Sequence, residues 1–184
     1  MLRYIGLYLI FLKQKIKDLG HVKYNGFTIY FAFENSEITI GKGSRVNSAS
    51  LSNMLGLYQR TFIIARYGGK ITIGKNLGIS GSTIYSMDEI KIGENCLIGA
   101  NCKIIDNDFH PLDYIERIGN KSSDIKKRPI FIGDNCFIGM NSIILKGTTM
   151  GNNCIVGAGS VVSGSFPANT IIAGNPAKII KYLA

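Results

Sequence analysis

Aliphatic residues recur at every sixth position along this 184-residue chain, at Ile132, Ile138, Ile144, Met150, Val156 and Val162, and no other feature restricts its fold so tightly. A fixed short period means that one structural unit is repeated and each copy stacks on the next. The same phase holds earlier at Ile92, Ile98 and Ile104, and shorter pieces stand at Ile40 with Val46 and at Ile73 with Ile79. Segments whose lengths are not multiples of six interrupt the run and read as loops or distorted turns. Four places after the aliphatic residue stands a small one, at Ser44, Cys96, Cys102, Cys136, Ser142, Thr148, Cys154 and Ser160. Such a unit is a short strand and a tight turn. Three of them close a triangular coil, with the aliphatic side chains stacked inside and the small residue where two faces meet. Asn and Gly fill the turns, as in Gly133-Asp134-Asn135 and Gly151-Asn152-Asn153, because such turns often need positive φ.

The pattern predicts an all-β coil over 37–184, interrupted by one long polar loop at 106–129 and closed by a segment at 173–184. A partly helical appendage over 1–36 precedes it. All four cysteines fall on the small inward position, so they read as core filler in a reduced compartment. Neither a disulfide framework nor a CxxC metal spacing is present. With only two histidines a three-histidine zinc site is excluded, and no metal is expected.

The net charge of +9 favours an anionic partner. Nucleic acid is not expected, because the cations are not interleaved with aromatic residues and no nucleic-acid-binding signature appears. The apolar run from Tyr4 to Leu12 is far shorter than the roughly 20 residues of a spanning helix. It lacks a small-residue cleavage site and runs into Lys13, Lys15 and Lys17, so the expected location is cytoplasmic. Apolar spacing over residues 2–18 leaves two readings: an interfacial helix on the inner face of a membrane, or a segment packed against the base of the assembly.

Three pieces go beyond the period: Ile104-Ile105-Asp106-Asn107-Asp108-Phe109-His110-Pro111-Leu112-Asp113, Gly157-Ala158-Gly159-Ser160-Val161-Val162, and Ala173-Gly174-Asn175-Pro176-Ala177-Lys178. With them the stretch from Ile92 to Leu183 resembles the hexapeptide-repeat acyltransferases, most closely the branch of galactoside and maltose O-acetyltransferases and polysaccharide-modifying O-acetyltransferases. The resemblance implies left-handed winding, a homotrimer, and acetyl-CoA lying in the groove between neighbouring coils. It matches Ala158, Ser160 and Ser163 to positions beside the pantetheine arm, and Lys178 and Lys181 to basic positions near the nucleotide. Where the family often has a further lysine this chain has Gly164, which leaves a phosphate contact absent or supplied by Lys146.

Moving an acetyl group from a thioester to an alcohol requires taking the hydroxyl proton as oxygen attacks, a task suited to imidazole. His110 opens the long loop and matches the family's His-Pro motif, whereas His21 lies before the expected coil. Pro111 restricts His110 towards extended backbone. Asp113 and Asp106 are both candidates to orient the imidazole, and Asp106 also for the acceptor site. Galactoside-type relatives carry an Asn where this chain has Ser80-Gly81-Ser82, so Ser80 or Ser82 is expected to contact the acceptor. Backbone N–H groups near Gly139, or in the turn from Gly78 to Ser82, are candidates for an oxyanion site. The reading is an O-acetyltransferase of a sugar or polysaccharide-precursor hydroxyl. Its alternatives are an N-acetyltransferase of a nucleotide-linked amino sugar and a non-catalytic scaffold.

Overall fold

The computed structural model describes residues 15–17, 21–33, 35–119 and 125–183, and there the chain winds as a three-sided parallel coil. The first turn holds β1 (Lys15–Lys17), β2 (Lys23–Asn25) and β3 (Ile29–Ala32), and the second β4 (Glu37–Ile40), β5 (Arg45–Asn47) and β6 (Phe62–Ala65). The third holds β7 (Lys70–Ile73), β8 (Gly78–Ser80) and β9 (Thr83–Ser86), and the fourth β10 (Glu89–Ile92), β11 (Leu97–Ala100) and β12 (Lys103–Ile105). The fifth holds β13 (Ile130–Ile132), β14 (Phe137–Ile138) and β15 (Ile143–Leu145), and the sixth β16 (Thr149–Met150), β17 (Ile155–Val156) and β18 (Val161–Val162). After β19 (Ser165–Phe166) and β20 (Thr170–Gly174), β21 (Ala177–Tyr182) folds back antiparallel on β20. Every third strand pairs. The result is three sheets: face A from β1 to β19, face B from β2 to β21 and face C from β3 to β18.

Strands this short are held by stacking and not by their own length. Side chains alternate in and out, so the sixfold aliphatic positions form internal columns. On face B, Val46, Ile79, Ile98, Ile138, Val156 and Ile172 lie in register and are fully or almost fully buried. Each contributes about 1.5–3 kcal/mol by leaving water. At the edge between faces A and B, Asn76, Asn95, Asn135, Asn153 and Asn169 all have φ near +60°. Each donates its side-chain amide to the next, at 2.8–3.2 Å.

The small corner residues are buried as expected, but the thiols do more than fill space. Cys96, Cys102, Cys136 and Cys154 donate to the carbonyls of Gly133, Gly139, Gly151 and Pro167 at 3.1–3.3 Å. Ser142 makes the same kind of bond to Gly157 O at 3.1 Å. A hydroxyl therefore finds an acceptor in these corners. Cys136→Ser is expected to cost no more than about 1 kcal/mol, the net worth of one such bond, as read from thermal denaturation. Contact with Cys96, then burial, pushes the Cys136 thiol up, and burial pushes Cys102 up, so both remain protonated.

The coil starts earlier than the period indicates. β1 pairs with β4, β2 with β5 and β3 with β6, so the turn before Glu37 is part of the prism, and His21 sits in it, exposed, accepting from Gly43 N at 3.3 Å. Tyr24 and Tyr30 stand at the column positions of this turn, their hydroxyls hydrogen-bonded at 3.1 Å. Aromatic residues there hide the aliphatic period. The expected helix over 2–18 falls almost wholly outside the described residues. A second excursion, 48–61, leaves between β5 and β6 in addition to 106–129. Among the described residues no helix is long and apolar enough to cross a membrane.

Candidate active site

The loop carrying His110 leaves at the edge between faces C and A, just after β12. Asp106 anchors its entry. The carboxylate is fully buried and accepts from Ser86 Oγ at 2.6 Å, Met87 N at 2.8 Å, Asp88 N at 2.9 Å and Asn107 Nδ2 at 3.0 Å. The outgoing and returning strands of the loop are tied by Asp108 N to Lys126 O at 3.0 Å and Arg128 N to Asp106 O at 2.9 Å. Phe109, at φ +60°, turns the chain and packs on Tyr85 with ring centroids 4.8 Å apart. His110 follows, its backbone N donating to Asp108 O at 2.7 Å while its side chain is exposed. Pro111 is buried behind it, and its carbonyl and that of Leu112 each accept from Arg117 Nη1 at 2.9 Å. The backbone bearing the imidazole is thus fixed on both sides.

Asp113 caps the short helix Tyr114–Ile118, accepting from Ile115 N at 2.8 Å and Glu116 N at 3.1 Å. Asp106 is occupied as described, so neither carboxylate weighed from sequence hydrogen-bonds the imidazole. Asp108 is the third carboxylate of the same motif. It pairs with Lys146 through Oδ1, leaving Oδ2 buried without a partner among the described residues. Lys146, weighed from sequence as a phosphate contact, is committed to this pair. No spacing signal joins residues 38 apart across the loop.

A different edge, between faces B and C, is bare in the fifth and sixth turns, beyond the excursion 48–61, whose Tyr58 Oη donates to Asn101 O at 3.4 Å. Gly99, Gly139 and Gly157 stack along it in successive turns. A Cβ on Gly139 would lie 2.5 Å from Ala158 N, and one on Gly99 2.7 Å from Met140 N, so only glycine permits this approach. The N–H groups of Met140 and Ala158 donate no hydrogen bond to a described residue. Ala158 is exposed at this edge, whereas Ser160 is buried, donating to Gly157 O at 2.6 Å and accepting from Gly174 N at 3.1 Å. Ser160 can therefore offer a ligand only its backbone. Ser163 lies exposed at the far end of β18, and Lys178 and Lys181 are exposed on β21.

Ser80 and Ser82 separate. Ser82 Oγ is wholly buried, bonded to Ser80 O and Gly99 O at 2.9 Å and accepting from Cys102 N at 2.8 Å, and so belongs to the corner. Ser80 accepts from Asn47 Nδ2 at 3.1 Å and lines a groove of about 370 Å³ on face B, with Arg45, Asn47, Asn76, Leu97 and Phe137.

A model of the hexapeptide repeat of succinyl-transferases matches residues 89–104 and 129–163. A Saccharomyces cerevisiae protein assigned to the acetyltransferases is 34% identical over 140 residues, 73% of this chain and 69% of that protein. The chain belongs to the hexapeptide-repeat acyltransferase family. Its coil is accordingly the family's left-handed parallel β-helix. The galactoside O-acetyltransferase of Escherichia coli is 35% identical over 116 residues, 62% of this chain. A solved galactoside acetyltransferase in complex with coenzyme A superimposes with a TM-score of 0.57 at 25% identity, covering 96% of this chain and 69% of that one. This hexapeptide-repeat chain spans little more than half the length of several curated relatives it matches, 55% of the E. coli enzyme for instance.

Proposed function

We propose that the protein is an acetyl-CoA-dependent O-acetyltransferase that works as a homotrimer on the hydroxyl of a sugar or polysaccharide precursor. The observation that carries this reading is the bare edge between faces B and C. Stacked glycines let a thin ligand reach the backbone, and the unpaired N–H groups of Met140 and Ala158, one turn apart, suit the amide carbonyls of a pantetheine arm. Lys178 and Lys181 then meet the phosphates at the carboxyl-terminal end, with Ser160 and Ser163 beside the arm. The acceptor hydroxyl attacks the thioester carbonyl while His110 takes its proton. The C–S bond breaks, and that proton leaves with the thiol of coenzyme A. Ser80 and its groove hold the acceptor. The free carboxylate oxygen of Asp108 is the candidate to orient the imidazole, a part for which Asp113 and Asp106 are engaged elsewhere.

Within one copy His110 and the donor edge lie on opposite sides of face C. That face displays Phe62, Ile64, Tyr85, Ile105, Ile143 and Leu145 outward, with Thr83 and Lys103 among them, while face A displays mainly Glu37, Thr39, Lys70, Thr72, Glu89 and Lys91, with Phe131. An apolar face of this extent calls for a partner. Packing face C against another copy would bring the His110 edge of one to the donor edge of the next, which supports three shared sites. The test is transfer of acetyl from acetyl-CoA to a panel of sugars, glycans and nucleotide-linked amino sugars, run beside light scattering. Ester products on a trimer are expected. Amide products would favour the amino-sugar reading, and a monomer at micromolar concentration would overturn the shared site.

A further inference from the structure

The positive charge is concentrated in the first half of the sequence. Residues 1–87 hold eleven Lys and Arg against three Asp and Glu, while residues 88–184 hold ten against nine. From Ile38 to Met87 six cations stand with no carboxylate at all. The excursion 48–61 leaves the coil in this same region, and its tip is apolar: Leu51 is 89% exposed, Met54 97%, Leu55 63% and Tyr58 71%. These side chains are not waiting to collapse inward. Leu57 is buried, Ser52 Oγ donates to Ala49 O at 2.6 Å, Leu55 N to Asn53 Oδ1 at 3.0 Å, and Thr61 Oγ1 to Asn47 O at 2.8 Å. The loop backbone is held so that the tip stays in water. Cations flank it. Lys23 and Arg45 are paired in register on the strands that lead to it, Arg60 lies over the ring of the exposed Phe27 at 5.4 Å, and none of the three meets a carboxylate among the described residues.

We infer that this end of the coil docks on an anionic lipid bilayer, with Leu51, Met54 and Leu55 entering the headgroup boundary and Lys23, Lys42 and Arg60 facing the lipid phosphates. Apolar side chains beside cations, on a stretch from Ile38 to Met87 that carries no carboxylate, are the pair of features that anionic interfaces reward: one gains by leaving water and the other by a surface potential of opposite sign.

The test is cosedimentation of the full chain with phosphatidylcholine vesicles, with and without phosphatidylglycerol. Binding to the anionic vesicles alone is expected. The variant Leu51→Ser, Met54→Ser, Leu55→Ser should bind at least tenfold more weakly while keeping its melting temperature and its mass in light scattering. The variant Lys23→Gln, Lys42→Gln, Arg60→Gln should lose about fivefold per cation removed. The inference is overturned if the wild-type protein stays in solution, if the serine variant binds like wild type, or if that variant changes oligomeric state, which would make the tip a contact between copies.

Discussion

Replacing His110 by alanine is expected to lower kcat by a factor of about 10² to 10⁴, the usual contribution of a general base, while leaving affinity for acetyl-CoA nearly unchanged. The imidazole is proposed to act on the acceptor hydroxyl, whereas the cofactor is assigned to the N–H groups of Met140 and Ala158 and to Lys178 and Lys181, so its loss removes no contact proposed to hold the cofactor. Lys178→Ala and Lys181→Ala should show the opposite pattern, weaker cofactor binding with a smaller effect on the chemical step. Turnover kinetics and calorimetric titration with acetyl-CoA separate the two. Wild-type turnover in a folded His110→Ala protein would remove the histidine from the mechanism and restore the scaffold reading.

The sixfold period was legible because each aliphatic residue does one thing, filling a column, and each small residue does another, filling a corner; Ile98 and Cys102 sit where that logic puts them. The period failed where other side chains take the same place. Tyr24 and Tyr30 stand at the columns of the first turn, so the sequence there shows no sixfold aliphatic repeat. Site residues were harder, because a motif names a residue without saying what surrounds it. Ser80 and Ser82 look equivalent in sequence, yet one lines a groove and the other is sealed by Cys102 N. Asp108 differs from Asp106 and Asp113 only in what the fold leaves unpaired, and this depends on Ser86, Lys126 and Lys146, residues far away along the chain.

Asp106 makes the sharpest case of a residue whose importance lies in the loop it holds. Its two oxygens take four donors, one from Ser86 at the end of β9, two from the turn after it and one from the neighbouring Asn107. In Asp106→Asn one oxygen becomes an NH2 group, so one pair of donors meets a donor and loses its acceptor. With each of the two unsatisfied buried groups costing about 1–3 kcal/mol, the loss of stability should be about 2–6 kcal/mol. At about 2–4 °C per kcal/mol for a chain of this size, Tm falls by roughly 10 °C. Ser86→Ala removes a single donor and should cost only about 1 kcal/mol, so the two variants calibrate one another in a single series of melts. Because this carboxylate anchors the loop's entry to Ser86, Met87 and Asp88, the surviving folded Asp106→Asn protein should have a reduced kcat as His110 loses its support. A melting temperature within about 2 °C of wild type would show that the loop entry is held by packing and not by this carboxylate.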